Sequence, residues 1–142
     1  MRLFLDANII FLAGYSKSSP VHDLLALARL GDCELVMSAY AQEEARRNLE
    51  VKGPPGWQDA MRLAVESIAV VGEAQRPALE LAQGAALSDP DDVPILAAAI
   101  QCRADVLVSG DRRAFGALFG SRVAGVEVLT LREPLRRLIG DT

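Results

Sequence analysis

Short apolar runs alternate along the chain with longer amphipathic stretches. Arg2–Leu5, Glu34–Met37, Ser67–Val71, Asp105–Ser109 and Val126–Leu129 have strand length and are rich in Val, Ile and Leu. Runs that are apolar on both faces suit a buried parallel sheet rather than a half-exposed antiparallel one. Helical patterns fall between them, at Pro20–Leu30, Ala39–Val51, Gly56–Val65, Pro77–Leu87, Asp92–Arg103, Arg112–Phe119 and Pro134–Ile139. Pro20, Pro77 and Pro134 fit first-turn positions, where a missing N–H costs nothing. Ser38 fits an N-cap, and Gly53-Pro-Pro-Gly56 breaks one helix from the next. With right-handed crossovers this alternation predicts an α/β fold, a three-layer α/β/α sandwich with a mainly parallel central sheet. There is no internal repeat, and residues 1–142 read as a single domain.

Composition narrows the class. A hydrophobic fraction of 51% and a mean hydropathy of +0.19 exclude a disordered tail protein. No apolar run approaches the roughly 20 residues of a membrane span. The first run, ending at Asp6, is too short for a signal-peptide core and reads as a strand. A cytoplasmic protein is expected, with Cys33 and Cys102 as free thiols, because their spacing is not metal-like. The single histidine, His22, argues against a zinc site built on several imidazoles and reads as an ordinary polar residue near a helix start. A net charge of −4 and a pI near 5.0 disfavour a broad basic face for duplex nucleic acid. Metal ions or a local arginine cluster can still carry phosphate contacts.

Four carboxylates stand where apolar segments start or stop: Asp6, Glu44, Asp92 and Asp111. Asp6 follows the first strand, with Asn8 two residues on as a second oxygen ligand or an orienting amide. Capping of the next helix is the simpler reading of Asp6 alone. On the helix Ala39–Val51 the inward stripe is Ala41, Ala45, Asn48 and Leu49, and Glu44 lies at its edge. Glu43 falls on the opposite face with Arg46, Arg47 and Glu50, where pairs three and four apart make a solvated surface. Asp89, Asp91 and Asp92 crowd one helix start between Pro90 and Pro94, more acid than a cap requires. Asp92 shares the inward stripe of Ile95, Ala99 and Cys102. Asp89 is expected as a supporting partner or further ligand, and Asp91 as exposed. Asp111 follows Ser109 and Gly110 at the end of another strand. Ser109 can orient a carboxylate, and Arg112 and Arg113 suit phosphate oxygens or a solvated helix start. In an open α/β sheet, ligands bind beyond the carboxyl ends of the strands. Acids gathered there form a pocket for a hard divalent cation.

Leu5-Asp-Ala-Asn-Ile-Ile10, Gln42-Glu-Glu-Ala-Arg-Arg-Asn-Leu49, Asp89-Pro-Asp-Asp-Val-Pro-Ile-Leu-Ala-Ala-Ala99 and Asp105-Val-Leu-Val-Ser-Gly-Asp111 resemble successive motifs of PIN domains. The likeness runs from near residue 2 to about residue 135. It is nearest to small prokaryotic PIN proteins of the VapC-type toxin group. The resemblance implies an α/β/α fold and a magnesium- or manganese-dependent ribonuclease, with RNA as substrate, a protein antitoxin as partner and a homodimer as assembly. It also implies that Asp6, Glu44, Asp92 and Asp111 are the catalytic and metal-holding acids, supported by Asn8 and Ser109. Ser109 stands where Thr is commoner, which keeps the hydroxyl.

The chemistry is consistent with the residues themselves. Magnesium prefers oxygen ligands, binds through few carboxylates and retains waters. It acidifies a bound water and clamps a phosphoryl oxygen. No histidine pair exists here for a metal-free acid–base route. The expected reaction is hydrolysis of a phosphodiester in single-stranded or loop RNA, which can reach a narrow acidic cleft. Three other readings stay open. A non-catalytic binding module could keep the fold without the activity. A haloacid-dehalogenase-type phosphatase also uses strand-end aspartates, but it needs a second Asp where Asn8 stands and a lysine near the late site; the only lysines are Lys17 and Lys52. A DNA-directed nuclease is disfavoured by the acidic balance. For a homodimer, the apolar residues of Val21–Leu30 and the Gly53–Trp57 segment are the candidate contacts.

Overall fold

The computed structural model describes residues 1–85, 87 and 89–140. The first half of the chain runs β1 (Arg2–Leu5), α1 (Ala7–Tyr15), α2 (Val21–Arg29), β2 (Glu34–Ser38), α3 (Ala39–Lys52), α4 (Trp57–Val65) and β3 (Ile68–Val71). The second half runs α5 (Arg76–Gln83), a 3-10 turn at Pro90–Asp92, α6 (Val93–Gln101), β4 (Val106–Val108) and α7 (Arg112–Phe115). A second 3-10 turn (Gly116–Leu118), β5 (Arg122–Val123), β6 (Val126–Leu129) and α8 (Arg132–Ile139) complete it.

Among the described residues the strands form one sheet in the order β3-β2-β1-β4-β6-β5. Every neighbouring pair is parallel except β5 with β6. The central pair is β1 and β4, in register from Leu3 opposite Val106 to Leu5 opposite Val108. Leu3, Phe4, Leu5, Leu107 and Val108 are fully buried, as expected of strands covered on both faces. From β1 the chain winds outward through β2 to β3, then returns to β4 and winds the other way. The boundary between β1 and β4 is therefore the switch point, where loops leaving adjacent strands diverge and open a crevice.

Right-handed crossovers put the helices of the first half on one face and α5 to α7 on the other. Accordingly α1 packs on α2, α3 and α4, while α5 packs on α6. The result is the expected three-layer sandwich. Gly14 lets α1 and α3 approach closely: a Cβ there would sit 2.7 Å from Leu49 Cδ1. Ser38 Oγ accepts the Ala41 N–H at 3.1 Å and caps α3, and Gly53 ends it. His22 donates a ring N–H to the Ser16 carbonyl at 2.8 Å, and both cysteines are free thiols.

Two elements depart from the sequence pattern. Helix α1 shows no amphipathic stripe in its sequence, because Phe11, Leu12 and Tyr15 make its outer face apolar too, although only the face of Ala7, Ile9, Ile10, Ala13 and Gly14 is buried. The hairpin β5–β6 turns at Ala124 and Gly125, whose φ of 49° and 87° are the positive values a two-residue turn requires. Alanine is an unusual choice there, so the turn is silent in the sequence. Boundaries also shift. The expected helix Arg112–Phe119 is one turn of α-helix followed by a 3-10 turn. The expected helix Pro77–Leu87 ends at Gln83, and Ala86 within its span lies outside the described residues, as does Ser88. Val21, Leu24 and Leu25 belong to the core of this chain, so the segment Val21–Leu30 offers chiefly Leu30 (76% exposed) to a second copy. No helix among the described residues is long and apolar enough to cross a membrane.

Candidate active site

Asp6 is the first residue past β1, and its backbone N–H still bonds the Val108 carbonyl of β4 at 3.0 Å. Its side chain is only 4% exposed. Oδ1 accepts the Ala7 N–H at 2.7 Å and caps α1, whereas Oδ2 accepts from Ser109 Oγ at 2.7 Å and Asn8 Nδ2 at 3.1 Å. The capping role and a place in the site are thus held by one carboxylate. Burial raises the Asp6 pKa above the usual range, with the Asp111 charge adding to it, while the bonds from Ser109, Ala7 and Asn8 oppose the shift.

Ser109 and Asn8 tie the two central strand ends together across about a hundred residues of sequence. The fully buried Ser109 hydroxyl donates to Asp6 and accepts from the Asp111 backbone N–H at 3.0 Å and Asn8 Nδ2 at 3.3 Å. That exhausts its one donor and two acceptor sites. Asn8 Oδ1 accepts the Gly110 N–H at 2.9 Å, which fixes the orientation of the amide. Asp111 Oδ1 caps α7 by accepting from Arg113 N and Ala114 N, each at 3.0 Å. Its Oδ2 has no protein partner among the described residues.

The other two acids arrive from opposite faces of the sheet. Glu44 projects from α3 at the border of the buried row Ala41, Ala45, Leu49. Glu43, one residue earlier, is exposed and paired with Arg46 at 2.6 Å, which also reaches Glu50 at 2.9 Å. Asp92 is half-buried at the start of α6 and makes no capping bond there. Neither Glu44 nor Asp92 has a hydrogen-bond or ion-pair partner among the described residues. Burial followed by the charge of Asp6 raises the pKa of Glu44. Burial followed by Asp6, Asp111, Asp89 and Glu44 pushes that of Asp92 up to about 6.

Asp6, Asn8, Glu44, Asp92 and Asp111 line one cavity of about 220 Å³ at the β1–β4 switch point, together with Ala7, Phe11, Asn48 and Lys52. Ser109 lies behind it as the brace already described. Asp89 stands apart: it is exposed, and its Oδ1 accepts the Asp91 N–H at 2.9 Å to cap the 3-10 turn. Its charge reaches Asp92 but its side chain does not line the cavity. Lys52 was not singled out by sequence reasoning as a site residue. It lines the cavity that Asp111 lines, so the absence of a lysine near the late acid in sequence does not hold in space. The signal was available, because Lys52 is two helical turns beyond Glu44 on the row Glu44, Asn48, Lys52. The missing second aspartate, replaced by Asn8, remains the argument against the phosphatase reading.

The donor set suits a hard cation: four carboxylates face one small cavity, three of them with oxygens that have no hydrogen-bond or ion-pair partner among the described residues. Among the described residues no three acid, imidazole or thiol groups are drawn tightly enough together to cage an ion. An open arrangement fits magnesium, which is held by one or two carboxylates and keeps several waters.

A family model described as PIN domain matches residues 2–113. Among solved structures, the chain resembles the crystal structure of VapBC2 from Rickettsia felis bound to a DNA fragment from their promoter. The TM-score is 0.66 at 14% identity, covering 92% of this chain and 98% of that one. At that identity the likeness is one of fold. No curated protein matches the chain.

Proposed function

The chain belongs to the PIN-domain family, and from that premise we propose that it is a magnesium- or manganese-dependent endoribonuclease acting on single-stranded or loop RNA. The observation that carries the reading is the convergence of Asp6, Glu44, Asp92 and Asp111 on one cavity at the switch point of the sheet. Of Asp6, Glu44, Asp92 and Asp111, one or two would hold the cation directly and the others through its waters. When bound, a divalent ion supplies Lewis-acid polarisation of the phosphoryl group and neutralises charge developing there.

The chain's own residues set the conditions. Ser109, Asn8 and the Ala7 N–H fix both oxygens of Asp6, so the innermost acid needs no reorganisation when substrate arrives. Burial on the sheet ends keeps bulk water from one side of the cavity. The unpaired Glu44 and Asp92 carboxylates attract cations and repel polyanions that come without them. Arg112 and Arg113 are exposed immediately after Asp111 and are placed to meet phosphates of the incoming strand. A cleft of this size admits an extended strand and excludes a duplex.

We further propose a toxin role in the cytoplasm, with a protein antitoxin as partner and a homodimer as assembly; the fold shared with the Rickettsia felis VapBC2 complex supports the antitoxin partner. A short neighbouring reading frame for a DNA-binding protein is the genetic sign expected. The test of the activity is incubation of purified protein with total RNA. Cleavage in magnesium that stops with excess EDTA is expected, and cleavage undiminished by EDTA would overturn the metal mechanism.

A further inference from the structure

Two helical rows lead away from the carboxylates side by side. On α1 the row is Ala7, Phe11, Tyr15, and on α3 it is Glu44, Asn48, Lys52, each residue one turn beyond the last. Ala7 and Phe11 from one helix, and Glu44, Asn48 and Lys52 from the other, line the same cavity as the acids. The cavity therefore extends from the acidic end along the α1–α3 junction, which Gly14 keeps close.

Away from the acids the lining changes chemistry, to Phe11, Asn48 and Lys52, with Tyr15 next to Phe11 just beyond it. Phe11 is half-buried, and its ring stacks on that of Tyr15 with centroids 4.9 Å apart and planes 22° from parallel. Tyr15 is 50% exposed, although the fold offers apolar cover to most aromatic rings of the chain. Lys52 is exposed and has no ion-pair partner among the described residues. The neighbouring Arg46, by contrast, is neutralised by Glu43 and Glu50. Asn48 adds an amide, with one donor and one acceptor face, between the acids and Lys52.

Resting on the ribonuclease reading, we propose that the Phe11–Tyr15 stack, Asn48 and Lys52 form a subsite for one unpaired nucleotide flanking the scissile phosphate. The base lies on the aromatic ring, Lys52 takes the adjacent phosphate oxygen, and Asn48 meets the base edge or sugar. Base-on-ring stacking demands that the base be free of a helix, which selects single-stranded RNA. Lys52 supplies the positive charge that an acidic cavity otherwise lacks on this side. It acts on binding, leaving the reacting centre to the carboxylates.

The test uses a short single-stranded RNA carrying 2-aminopurine, bound in Ca²⁺ so that the complex persists without turnover. Wild type, Phe11→Leu and Lys52→Gln are compared by fluorescence. Leucine keeps an apolar side chain at the half-buried Phe11 position, and Lys52 is exposed, so both variants should fold. Stacking quenches 2-aminopurine, and Phe11→Leu should abolish the quench and weaken binding about tenfold. The same substitution should leave binding of an RNA made abasic at that position unchanged. Lys52→Gln should keep the quench and lower the slope of log affinity against log salt by about 0.7, the loss of one phosphate contact to a single strand. Wild-type quenching together with variants that match it in affinity and salt slope would overturn the subsite while leaving the nuclease intact. A wild-type protein that neither binds RNA nor cleaves it in magnesium would overturn both.

Discussion

Replacing Asp92 with Asn should make the metal-free protein more stable while abolishing its activity. Asp92 is half-buried, has no hydrogen-bond or ion-pair partner among the described residues, and faces the charges of Asp6, Asp111, Asp89 and Glu44. These effects raise its pKa from 3.8 to about 6. An acid whose pKa is higher in the folded state is destabilising when ionised. Its protonated form contributes stability that is fully present below pH 3.8 and is lost as pH rises through about 6. Across that interval the linkage amounts to about 3 kcal/mol, which solvent screening at a half-exposed site reduces to about 1–2 kcal/mol. The charge also sits favourably at the start of α6, worth about 0.3–1 kcal/mol. Repulsion and burial win, and asparagine conserves the volume. Asp92→Asn should gain about 1 kcal/mol at pH 7, a rise in Tm of about 2–6 °C for a domain of this size. Melting curves in EDTA at pH 7 and pH 4 measure it, and the gap should close at pH 4. Added Mg²⁺ should narrow or reverse it, since the ion stabilises the protein that binds it better. A variant less stable than wild type at pH 7 in EDTA, or a gap indifferent to pH, would show that Asp92 is chiefly a structural element of the helix start.

Other expectations follow from neighbouring contacts. Glu44→Gln should reduce RNA cleavage to background whereas Glu43→Gln should leave it nearly intact; equal losses would mean that Glu44 has no special place in the cavity. Ser109→Ala should destabilise the protein by about 1–3 kcal/mol in urea titration, because it strips Asp6 Oδ2 and the Asp111 N–H of a buried partner. Ser109→Thr should lose much less, and an alanine variant as stable as wild type would contradict the bracing role. Ca²⁺ should bind but support little turnover, owing to its looser coordination geometry; rates equal to those in Mg²⁺ would argue against a demanding ligand arrangement. Products should carry no 2′,3′-cyclic phosphate, because water rather than the 2′-hydroxyl attacks phosphorus; detection of cyclic ends would point to an acid–base route.

The sheet was legible because the central strands β1 and β4 are short runs rich in Val, Leu and Phe, and an acid follows each of them closely. Asp6 and Asp111 mark the central strands β1 and β4, because loops leaving adjacent strands at the switch point open onto a common crevice. The phase of α3 was equally readable, since Ala41, Ala45 and Leu49 fix the inward face and leave Glu43 to its arginines. Where apolar residues fall on both faces of a helix the signal fails, as in α1, whose half-exposed outer face carries Phe11, Leu12 and Tyr15 and lets the segment mimic a continuation of β1. The β5–β6 hairpin was hidden by Ala124 in a position that usually carries Asn, Asp or Gly. Lys52 was missed because the acids drew attention to Glu44 alone, although the same helical row carries Asn48 and Lys52 into the cavity.

The four carboxylates converging on one cavity are what would make this PIN domain a metal-dependent ribonuclease. The most direct measurement is cleavage of a defined single-stranded RNA by wild type and Asp6→Asn, each in Mg²⁺ and in excess EDTA. Asparagine can retain the Oδ1 cap on α1, and circular dichroism serves to check that both proteins are folded. Cleavage is expected from wild type in Mg²⁺ alone. Cleavage by folded Asp6→Asn at the wild-type rate, or by wild type in EDTA, would contradict it.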